Sequence, residues 1–281
     1  MSEQGIAHFE LLLFSVDPQM VESAVAAGVD GIIVDWETQE KKERQNGSDT
    51  EINRHTLDDL RAVRMATKGS VICRINGFNP DSASEIETAV DAGADEILLP
   101  MVRTVEEVEF ALDIADSRCG TGILVETVAA LSLVTELSQL PLDRIYVGLN
   151  DLAIERDTPN IFTAVADGTL AQIRSDVNSD MRFGFGGLTL PDRGRPLPCR
   201  LLIAEMARLN CSFSFLRRSF HRDTRDRDLE VSVAAIRAAL ASAAAQDDGW
   251  RSRQHSELCN AIESSSTFET ALAAAVPGGR K

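Results

Sequence analysis

Short apolar runs alternate with amphipathic helical patterns along most of the chain. Eight runs of four or five residues are rich in aliphatic and aromatic side chains, which predicts β-strands. They span residues 11–14, 31–35, 71–75, 96–99, 122–126, 144–148, 182–186 and 212–216. The helical patterns between them include residues 18–27, 56–67, 82–92, 105–116 and 198–209. This alternation predicts βαβ units that build a parallel sheet.

The number of units favours a closed barrel over an open sheet. Eight βα units within roughly 250 residues are typical of a (β/α)8 barrel. The alternative is a doubly wound open sheet that binds a dinucleotide. The first strand, however, is followed by Ser15, Val16, Asp17 and Pro18 and not by a glycine-rich loop. We therefore predict an α/β fold, with a (β/α)8 barrel domain over residues 1–248.

The chain continues beyond the eighth predicted strand. Residues 222–245 read as a final barrel helix, and Asp247 to Trp250 break it. Residues 249–281 are predicted to form a C-terminal helical arm or tail, with a helical stretch at 256–262 and a break at 264–267. We expect this arm either to pack on a neighbouring subunit of a homo-oligomer, burying Trp250 and residues 271–276, or to be partly disordered.

The composition describes a globular chain with excess negative charge. Its 281 residues are 44% hydrophobic, and 28 basic against 44 acidic residues give a net charge of −16. Such a charge repels nucleic acids and anionic membranes, so neither is expected as a partner. Five cysteines without a CxxC motif argue against a disulfide framework and a zinc cluster. With no signal segment and no apolar stretch near ~20 residues, we expect a cytoplasmic protein.

Charged residues stand where the predicted strands end. Glu126 and Asp151 close two successive apolar runs, so parallel strands should bring both to the same rim. Asp35, Glu37 and Arg74 end or follow the second and third runs. Two carboxylates are half of a site for Mg²⁺ or Mn²⁺, whose remaining positions water and substrate would occupy. The pattern predicts an enzyme that binds a small anionic substrate.

Several segments carry a family resemblance. They read AAGVDGIIVDWE at 26–37, RIN at 74–76, GADEILLPMV at 93–102, VET at 125–127 and VGLNDLA at 147–153. In this order they resemble the class II 2-oxo-acid aldolase and citrate lyase β-subunit superfamily, also called the HpcH/HpaI aldolase family. The resemblance implies a barrel of the phosphoenolpyruvate/pyruvate-binding type. It also implies cleavage or formation of a carbon–carbon bond through an enolate.

The resemblance assigns roles to individual residues. It implies that Glu126 and Asp151 hold the divalent metal and that Arg74 binds the 2-oxo acid or its enolate oxygen. It further implies that Gly148, Leu149 and Asn150 present backbone N–H groups to a carboxylate. Physical chemistry supports the arginine and the metal, because a Lewis acid beside a guanidinium stabilises negative charge that develops on oxygen. The planar guanidinium also matches a carboxylate.

The sequence departs from the family at Thr38. Pyruvate aldolases of the family carry a histidine there as general acid/base, and the citrate and malyl-coenzyme A lyases carry an acidic residue. Threonine cannot transfer protons near neutral pH, so another base is needed. Water bound to the metal is our first choice and His55 the second, with Asp35 and Glu37 in supporting roles. A non-catalytic ligand-binding or structural subunit remains an alternative, as does an acyl-coenzyme A lyase.

A second departure is positive charge late in the barrel. Residues 181–222 contain eight arginines against Asp192 and Glu205. Loops after the seventh and eighth strands of barrels often bind phosphate. Arg217 and Arg218, directly after the eighth strand, are therefore candidates for binding an anionic group of the substrate. Pairing with a neighbouring subunit and simple surface exposure are the alternatives.

Overall fold

The computed structural model describes residues 8–38, 55–158 and 160–275, with side chains up to residue 265. Its strands are β1 Glu10–Phe14, β2 Gly31–Asp35, β3 Ser70–Arg74, β4 Glu96–Leu99, β5 Gly120–Val125, β6 Arg144–Val147, β7 Arg182–Phe185 and β8 Phe213–Leu216. Each predicted strand is present, with its bounds shifted by two residues at most.

The strands form one parallel barrel. Their order is β7-β6-β5-β4-β3-β2-β1-β8. A parallel bridge between Leu188 and Leu216 joins the two ends of this order, and Ser212 N–H donates to the Phe183 carbonyl at 2.9 Å. Here a Cβ atom on Gly184 would lie 2.3 Å from the Phe213 carbonyl oxygen, so only glycine lets β7 approach β8 this closely. The predicted (β/α)8 barrel is confirmed.

Helices follow most strands in the described part of the chain. They are α1 Pro18–Ala26, α2 Leu57–Ala66, α3 Ser82–Asp91, α4 Val105–Ala115, α5 Val128–Leu131, α6 Val134–Leu137, α7 Leu149–Glu155, α8 Thr163–Ala166, α9 Thr169–Asp176, α10 Cys199–Arg208, α11 Ser219–Thr224, α12 Leu229–Ala244 and α13 Asp248–Ala275. None of these described helices is by itself long and apolar enough to cross a membrane. The pair Leu229–Ala244 and Asp248–Ser265, bent by 118°, meets that length and composition only when taken together.

Threonine capping boxes begin two of the helices that return the chain to the next strand. The Thr56 hydroxyl accepts a hydrogen bond from Asp59 N–H, and the Asp59 carboxylate accepts one from Thr56 N–H. Thr104 and Glu107 form the same box at the start of α4. Each box satisfies N–H groups that a helix start leaves without a partner. The boxes therefore define where α2 and α4 begin.

The barrel separates an inner core from an outer core. The inner core is aromatic and aliphatic and consists of Leu12, Ile33, Ile72, Leu98, Leu124, Tyr146, Phe213 and Phe215. A larger outer core lies between the strands and the helices and includes Cys73. Since strand side chains alternate between faces, Cys73 points outward while its neighbour Arg74 points inward. A role for the Cys73 thiol in chemistry at the rim is thereby excluded.

Ion pairs close the floor of the barrel, at the N-terminal ends of the strands. Arg144 donates two hydrogen bonds to Glu96, at 2.6 and 2.7 Å, and a third to Glu10 at 2.8 Å. Arg182 also donates to Glu10, at 3.0 Å. The Arg144 guanidinium lies 4.8 Å from the centre of the Phe213 ring. The floor therefore consists of charges that neutralise one another beneath the aromatic inner core.

The C-terminal region differs from expectation in two ways. The helix predicted over 222–245 is divided into α11 and α12, and α13 continues through 264–267, where we expected a break. Along α13, Leu258 and Ile262 are buried in the outer core, against α8 and α10 of the same chain. Trp250, which is partly buried, also packs on this core, and its burial at a subunit contact stays a prediction. The side chains of 271–276 lie outside the described residues.

Candidate active site

Asp35 and Arg74 form the centre of a charged cluster at the C-terminal rim. They are the last residues of β2 and β3 and are partners in the register of these strands. Arg74 Nε donates to Asp35 Oδ1 at 2.8 Å, and Arg74 Nη2 donates to Asp35 Oδ2 at 2.7 Å. Arg74 Nη1 lies 3.2 Å from Glu37 Oε2. Two carboxylates thus hold the guanidinium in one orientation.

This cluster is buried. Asp35 and Glu37 are 0% and 1% exposed, and the Arg74 side chain is 12% exposed. Burial alone would lower the pKa of Arg74, but the charges of Asp35 and Glu37 outweigh it and raise that pKa well above its usual value. Phe14 adds a ring centre 5.1 Å from the guanidinium carbon. Arg74 is therefore a permanent positive charge.

Glu126 follows β5, and two neighbouring residues determine where its carboxylate lies. Its Oε1 accepts a hydrogen bond from Met101 N–H at 3.0 Å. Met101 has φ +55°, a left-handed conformation that non-glycine residues adopt at some cost. A Cβ atom on Gly148 would lie 2.0 Å from Glu126 Oε2. The backbone at 101 and the missing side chain at 148 together define the position of the Glu126 carboxylate.

Asp151 lies beside Glu126, but not at the end of a strand. β6 ends at Val147, Gly148 caps the following helix, and Asp151 stands in the first turn of α7. Burial raises the pKa of Glu126 well above its usual value, and the charges of Asp151 and Glu37 raise it further. Arg74 and the Met101 N–H act in the opposite direction. The protein thus holds several carboxylates close together at this rim.

Such an arrangement suits a hard divalent cation. A buried carboxylate whose pKa is raised by neighbouring carboxylates is stabilised when a cation joins it. Glu126 and Asp151 offer oxygen ligands of the kind that Mg²⁺ and Mn²⁺ prefer. In the part of the chain that is described, no three His, Cys, Asp or Glu side chains converge on one point. The residues present fit a site with two protein ligands.

His55 contacts the same cluster through the main chain. Its Nδ1 accepts a hydrogen bond from Asp35 N–H at 2.9 Å, so the neutral imidazole carries its proton on Nε2. His55 also lines a cavity of about 300 Å³ that includes Trp36 and Asp81. Thr38, at the position of the family base, is exposed, and its N–H donates to Asn76 Oδ1 at 2.9 Å. The structure places the expected alternative base next to Asp35.

The late arginines divide into two groups. Three of them form close ion pairs within the chain, at 2.5 to 3.0 Å, an arrangement that we did not anticipate. These pairs are Arg182 with Glu10 and Asp143, Arg200 with Glu257, and Arg208 with Glu205. Two others, Arg193 and Arg222, line a cavity of about 400 Å³ together with Arg227, Asp223 and Asp226. Each arginine of this second group faces an aspartate. Arg222 lies 3.6 Å from Asp223, and Arg193 and Arg227 lie 4.0 and 2.9 Å from Asp192.

Arg217 and Arg218 lie on this side of the rim. Arg217 Nη2 donates to the Arg195 carbonyl at 3.0 Å, and its own N–H donates to the Leu188 carbonyl at 2.8 Å. Arg218 is exposed and precedes α11. The structure therefore brings together Asp35, Glu37, Arg74, Glu126 and Asp151. Arg217 is held by the loop that follows β7.

Sequence reasoning missed two contributors to this rim. The Met101 N–H is a main-chain group whose direction depends on φ at that residue. That direction cannot be predicted from the type of amino acid. In the sequence, Tyr146 reads as one member of an apolar strand. Its position two residues before Gly148, on the inward face of β6, was the available signal.

A parallel (β/α)8 barrel that collects charged side chains at the C-terminal ends of its strands has the architecture of a barrel enzyme. The profile of the HpcH/HpaI aldolase/citrate lyase family matches residues 9–156. The chain belongs to this family, and the resemblance seen in the sequence is confirmed. The matched region runs from β1 through α7 and contains every residue of the charged cluster. Arg217 and Arg218 lie outside it.

Solved structures of low identity share the fold. An HpcH/HpaI aldolase/citrate lyase family protein from Burkholderia cenocepacia J2315 is 14% identical, with a TM-score of 0.59 over 85% of this chain and 95% of that one. The citrate synthase SbnG is 18% identical, with a TM-score of 0.54 over 83% of this chain and 94% of that one. RipC from Yersinia pestis is 13% identical, with a TM-score of 0.56 over 87% of this chain and 99% of that one. No curated protein matches the sequence.

Proposed function

We propose that the protein is a divalent-metal-dependent carbon–carbon lyase or aldolase. In this proposal it acts through an enolate on an anionic 2-oxo acid, such as pyruvate or oxaloacetate, or on its aldol adduct. One observation carries the proposal. The guanidinium of Arg74, oriented by Asp35 and Glu37, lies in the same buried cluster as Glu126 and Asp151. Family membership supplies the class of reaction.

Arg74 binds the substrate in this mechanism. Two of its five N–H groups are used by Asp35, which leaves Nη1 and the second N–H of Nη2 for Glu37 and a ligand oxygen. A guanidinium that cannot lose its proton and cannot rotate stabilises an enolate oxygen without reorganising first. Gly148, Leu149 and Asn150 contribute backbone N–H groups toward the substrate carboxylate, as the family resemblance implies.

Glu126 and Asp151 would hold Mg²⁺ or Mn²⁺, which supplies a Lewis acid for the carbonyl and carboxylate oxygens of the substrate. The chain's own contribution is to hold both carboxylates side by side, so that a cation takes the place of the proton that the raised pKa of Glu126 favours without it. Gly148 and the Met101 N–H position Glu126 for this purpose. Arg74 reduces the repulsion within the cluster.

Proton transfer requires a group other than Thr38. His55 is hydrogen-bonded to the main chain of Asp35, so its neutral ring is oriented, and histidine is the side chain that most often serves as a general acid/base. Water at the site remains our first choice for the base, with His55 second. Both avoid a role for Asp35 and Glu37, which are engaged with Arg74.

Arg217 and Arg218 are proposed to bind the far end of an anionic substrate. They follow β8 on the same rim as the cluster, beside the cavity lined by Arg193 and Arg222. Loops after the seventh and eighth strands are the usual anion sites of barrels. An aldol adduct with a second negative group would reach this side, whereas pyruvate alone would not need it.

Exchange of the pyruvate methyl protons tests the proposal directly. The protein is incubated with pyruvate in D2O, with and without Mg²⁺ or Mn²⁺, and the methyl signal is followed by proton NMR. We expect exchange that stops with chelator, returns with metal, and is lost in Glu126→Gln and Asp151→Asn. Glu87→Gln is the control, because that carboxylate lies on the outer surface and pairs with Arg118.

The outcomes separate the alternatives. Full-rate exchange by metal-free protein would show that the metal site is wrongly assigned. Binding of pyruvate with no exchange would favour the non-catalytic ligand-binding alternative. If pyruvate and oxaloacetate neither bind nor react, the proposed substrate class is wrong.

A further inference from the structure

Tyr146 is the only tyrosine of the chain and stands on the inner face of the barrel. It precedes Gly148 by two residues in β6, so its ring lies directly below the charged rim. The ring stacks on Phe215, with centres 3.7 Å apart and planes inclined by 14°. The residue is 7% exposed. Packing therefore holds the ring in one place.

Within the described part of the chain the phenol hydroxyl makes no hydrogen bond, and it is not one of the fully enclosed polar atoms, so its oxygen stays accessible from the rim. Burying a hydroxyl without a partner costs free energy, so such groups usually meet a ligand or a water molecule. A Cβ atom on Gly186 would lie 2.8 Å from the hydroxyl oxygen. Glycine at 186, directly after β7, leaves the hydroxyl uncovered at this level of the barrel.

The electrostatic surroundings connect the hydroxyl with the charged cluster. Burial raises the pKa of Tyr146 far above its usual value, Arg74 lowers it and Glu126 raises it. Both charges are therefore close enough to act on the phenol. The raised pKa keeps the phenol protonated near neutral pH, so it can donate a hydrogen bond to an anion.

We propose that the Tyr146 hydroxyl donates a hydrogen bond to an oxygen of the ligand that binds at the rim between Arg74 and Glu126. This inference rests on the proposed function and adds a contact to it. The hydroxyl lies at the deep end of the site, so it meets the buried end of the ligand. A buried donor discriminates against compounds that lack an acceptor at that point, because it is then left without a partner. Tyr146 thus selects ligands with an oxygen at the deep end.

The single tyrosine permits a selective measurement. Protein labelled with ¹³C at tyrosine Cζ gives one resonance, which reports the hydrogen bonding of this phenol. We expect the resonance to shift when pyruvate or oxalate is added with Mg²⁺, and to saturate at the concentration that saturates binding measured by calorimetry. Tyr146→Phe keeps the ring and should weaken binding of either ligand about 10- to 100-fold.

Thr121→Val is the matched control. The Thr121 hydroxyl is fully buried without a hydrogen-bond partner, and it lies near the start of β5, away from the rim. Its removal should leave ligand affinity unchanged. Thermal unfolding of both variants verifies that the fold is retained.

Two failures are distinguishable. Ligand binding with an unmoved tyrosine resonance, or with equal affinity in Tyr146→Phe, overturns the role of Tyr146 and leaves the proposed function standing. Absence of binding of both pyruvate and oxalate to the unmodified protein overturns the proposed function and this inference with it.

Discussion

The side chain of Glu126 occupies the space that a Cβ atom at position 148 would need. The separation from Oε2 to that virtual atom is 2.0 Å, far inside van der Waals contact. Gly148 has φ −82° and ψ 86°, values that other residues also adopt. The requirement for glycine is therefore steric and concerns the Glu126 carboxylate, with no contribution from backbone strain.

Gly148→Ala should displace Glu126 and weaken metal binding. A shift of a ligand or of its support typically costs about 10- to 100-fold in metal affinity. Titration with Mn²⁺, followed by electron paramagnetic resonance, measures this affinity. Gly77→Ala is the matched control at the same rim, because its nearest neighbour would be 3.4 Å from the new Cβ atom. Equal Mn²⁺ affinity in Gly148→Ala and the unmodified protein would show that metal binding does not depend on the space left for Glu126 by glycine at position 148.

Glu126→Gln should stabilise the metal-free protein at neutral pH. Burial, Asp151 and Glu37 raise the pKa of Glu126 in the folded state. At pH values between the usual and the raised pKa, the folded state therefore binds more protons than the unfolded state. Stability is therefore lost as pH rises through the folded pKa. The melting temperature of Glu126→Gln should exceed that of the unmodified protein at pH 8, by ~2–4 °C for each kcal/mol gained. The difference should disappear at about pH 4.

Thermal unfolding with chelator across this pH range is the measurement. Addition of Mg²⁺ should then raise the melting temperature of the unmodified protein and leave that of Glu126→Gln unchanged. Glu87→Gln should bring no gain, because Arg118 lowers the pKa of that surface carboxyl. A Glu126→Gln protein that melts lower than the unmodified protein at pH 8 would contradict the electrostatic account of the cluster.

Arg74→Met should destabilise the fold strongly. It removes the guanidinium that pairs with the buried Asp35 and Glu37, and loss of one member of a buried pair costs about 3–5 kcal/mol. Urea unfolding gives the difference in free energy. Arg118→Met removes a similar two-bond pair with Glu87, but both side chains are exposed, so stability should change little. Equal losses in the two variants would argue against a special role of burial.

Replacement of His55 and of Thr38 tests the source of the base. His55→Ala should lower turnover by no more than ~10²-fold, the low end for loss of a general acid/base. Thr38→His should leave metal binding intact and raise the rate of pyruvate enolisation. Methyl proton exchange and Mn²⁺ titration measure the two effects. A loss of about 10⁴-fold in His55→Ala, with unchanged metal affinity, would instead make the histidine the principal base.

Leu258→Ala should destabilise the barrel itself. Leu258 is fully buried where α13 packs on the outer core, and truncation of such a leucine costs about 2–5 kcal/mol. Urea unfolding measures the loss, and Ser256→Ala, exposed on the same helix, is the control. Unaltered stability in Leu258→Ala would mean that α13 does not belong to the core. Light scattering on a chain that ends at Asp248 tests separately whether the arm joins subunits of the proposed homo-oligomer.

The strands were predictable because their signal is local. An apolar run such as Ile32 to Val34 needs no knowledge of the rest of the chain, and its eightfold recurrence specifies the barrel. Asp35 and Arg74 were predictable as rim residues because each ends a strand. Asp151 was placed in the correct region but at the wrong kind of element, because Gly148 ends the strand and begins a helix.

Other features depend on closure of the barrel and had no local signal. Arg144 meets Glu10 across 134 positions of sequence, and strand order alone decides that contact. Arg200 looked like part of a surface patch because Glu257 becomes its partner only when α10 and α13 pack together. The continuous α13 was missed because serine is a weak helix breaker, which packing on the core outweighs.

The ion-paired floor closes the barrel at the N-terminal ends of the strands. Arg144, Glu96 and Glu10 block the N-terminal end, so substrate and product share the C-terminal opening. If the enzyme splits one molecule into two, both products must leave through the same opening, so they are released in a fixed order. In the proposed reaction the 2-oxo acid would be held deepest, next to Arg74 and Tyr146, so it would leave last and would enter first in the reverse direction. Product inhibition by the 2-oxo acid should therefore be competitive with the adduct, and inhibition by the other fragment should not.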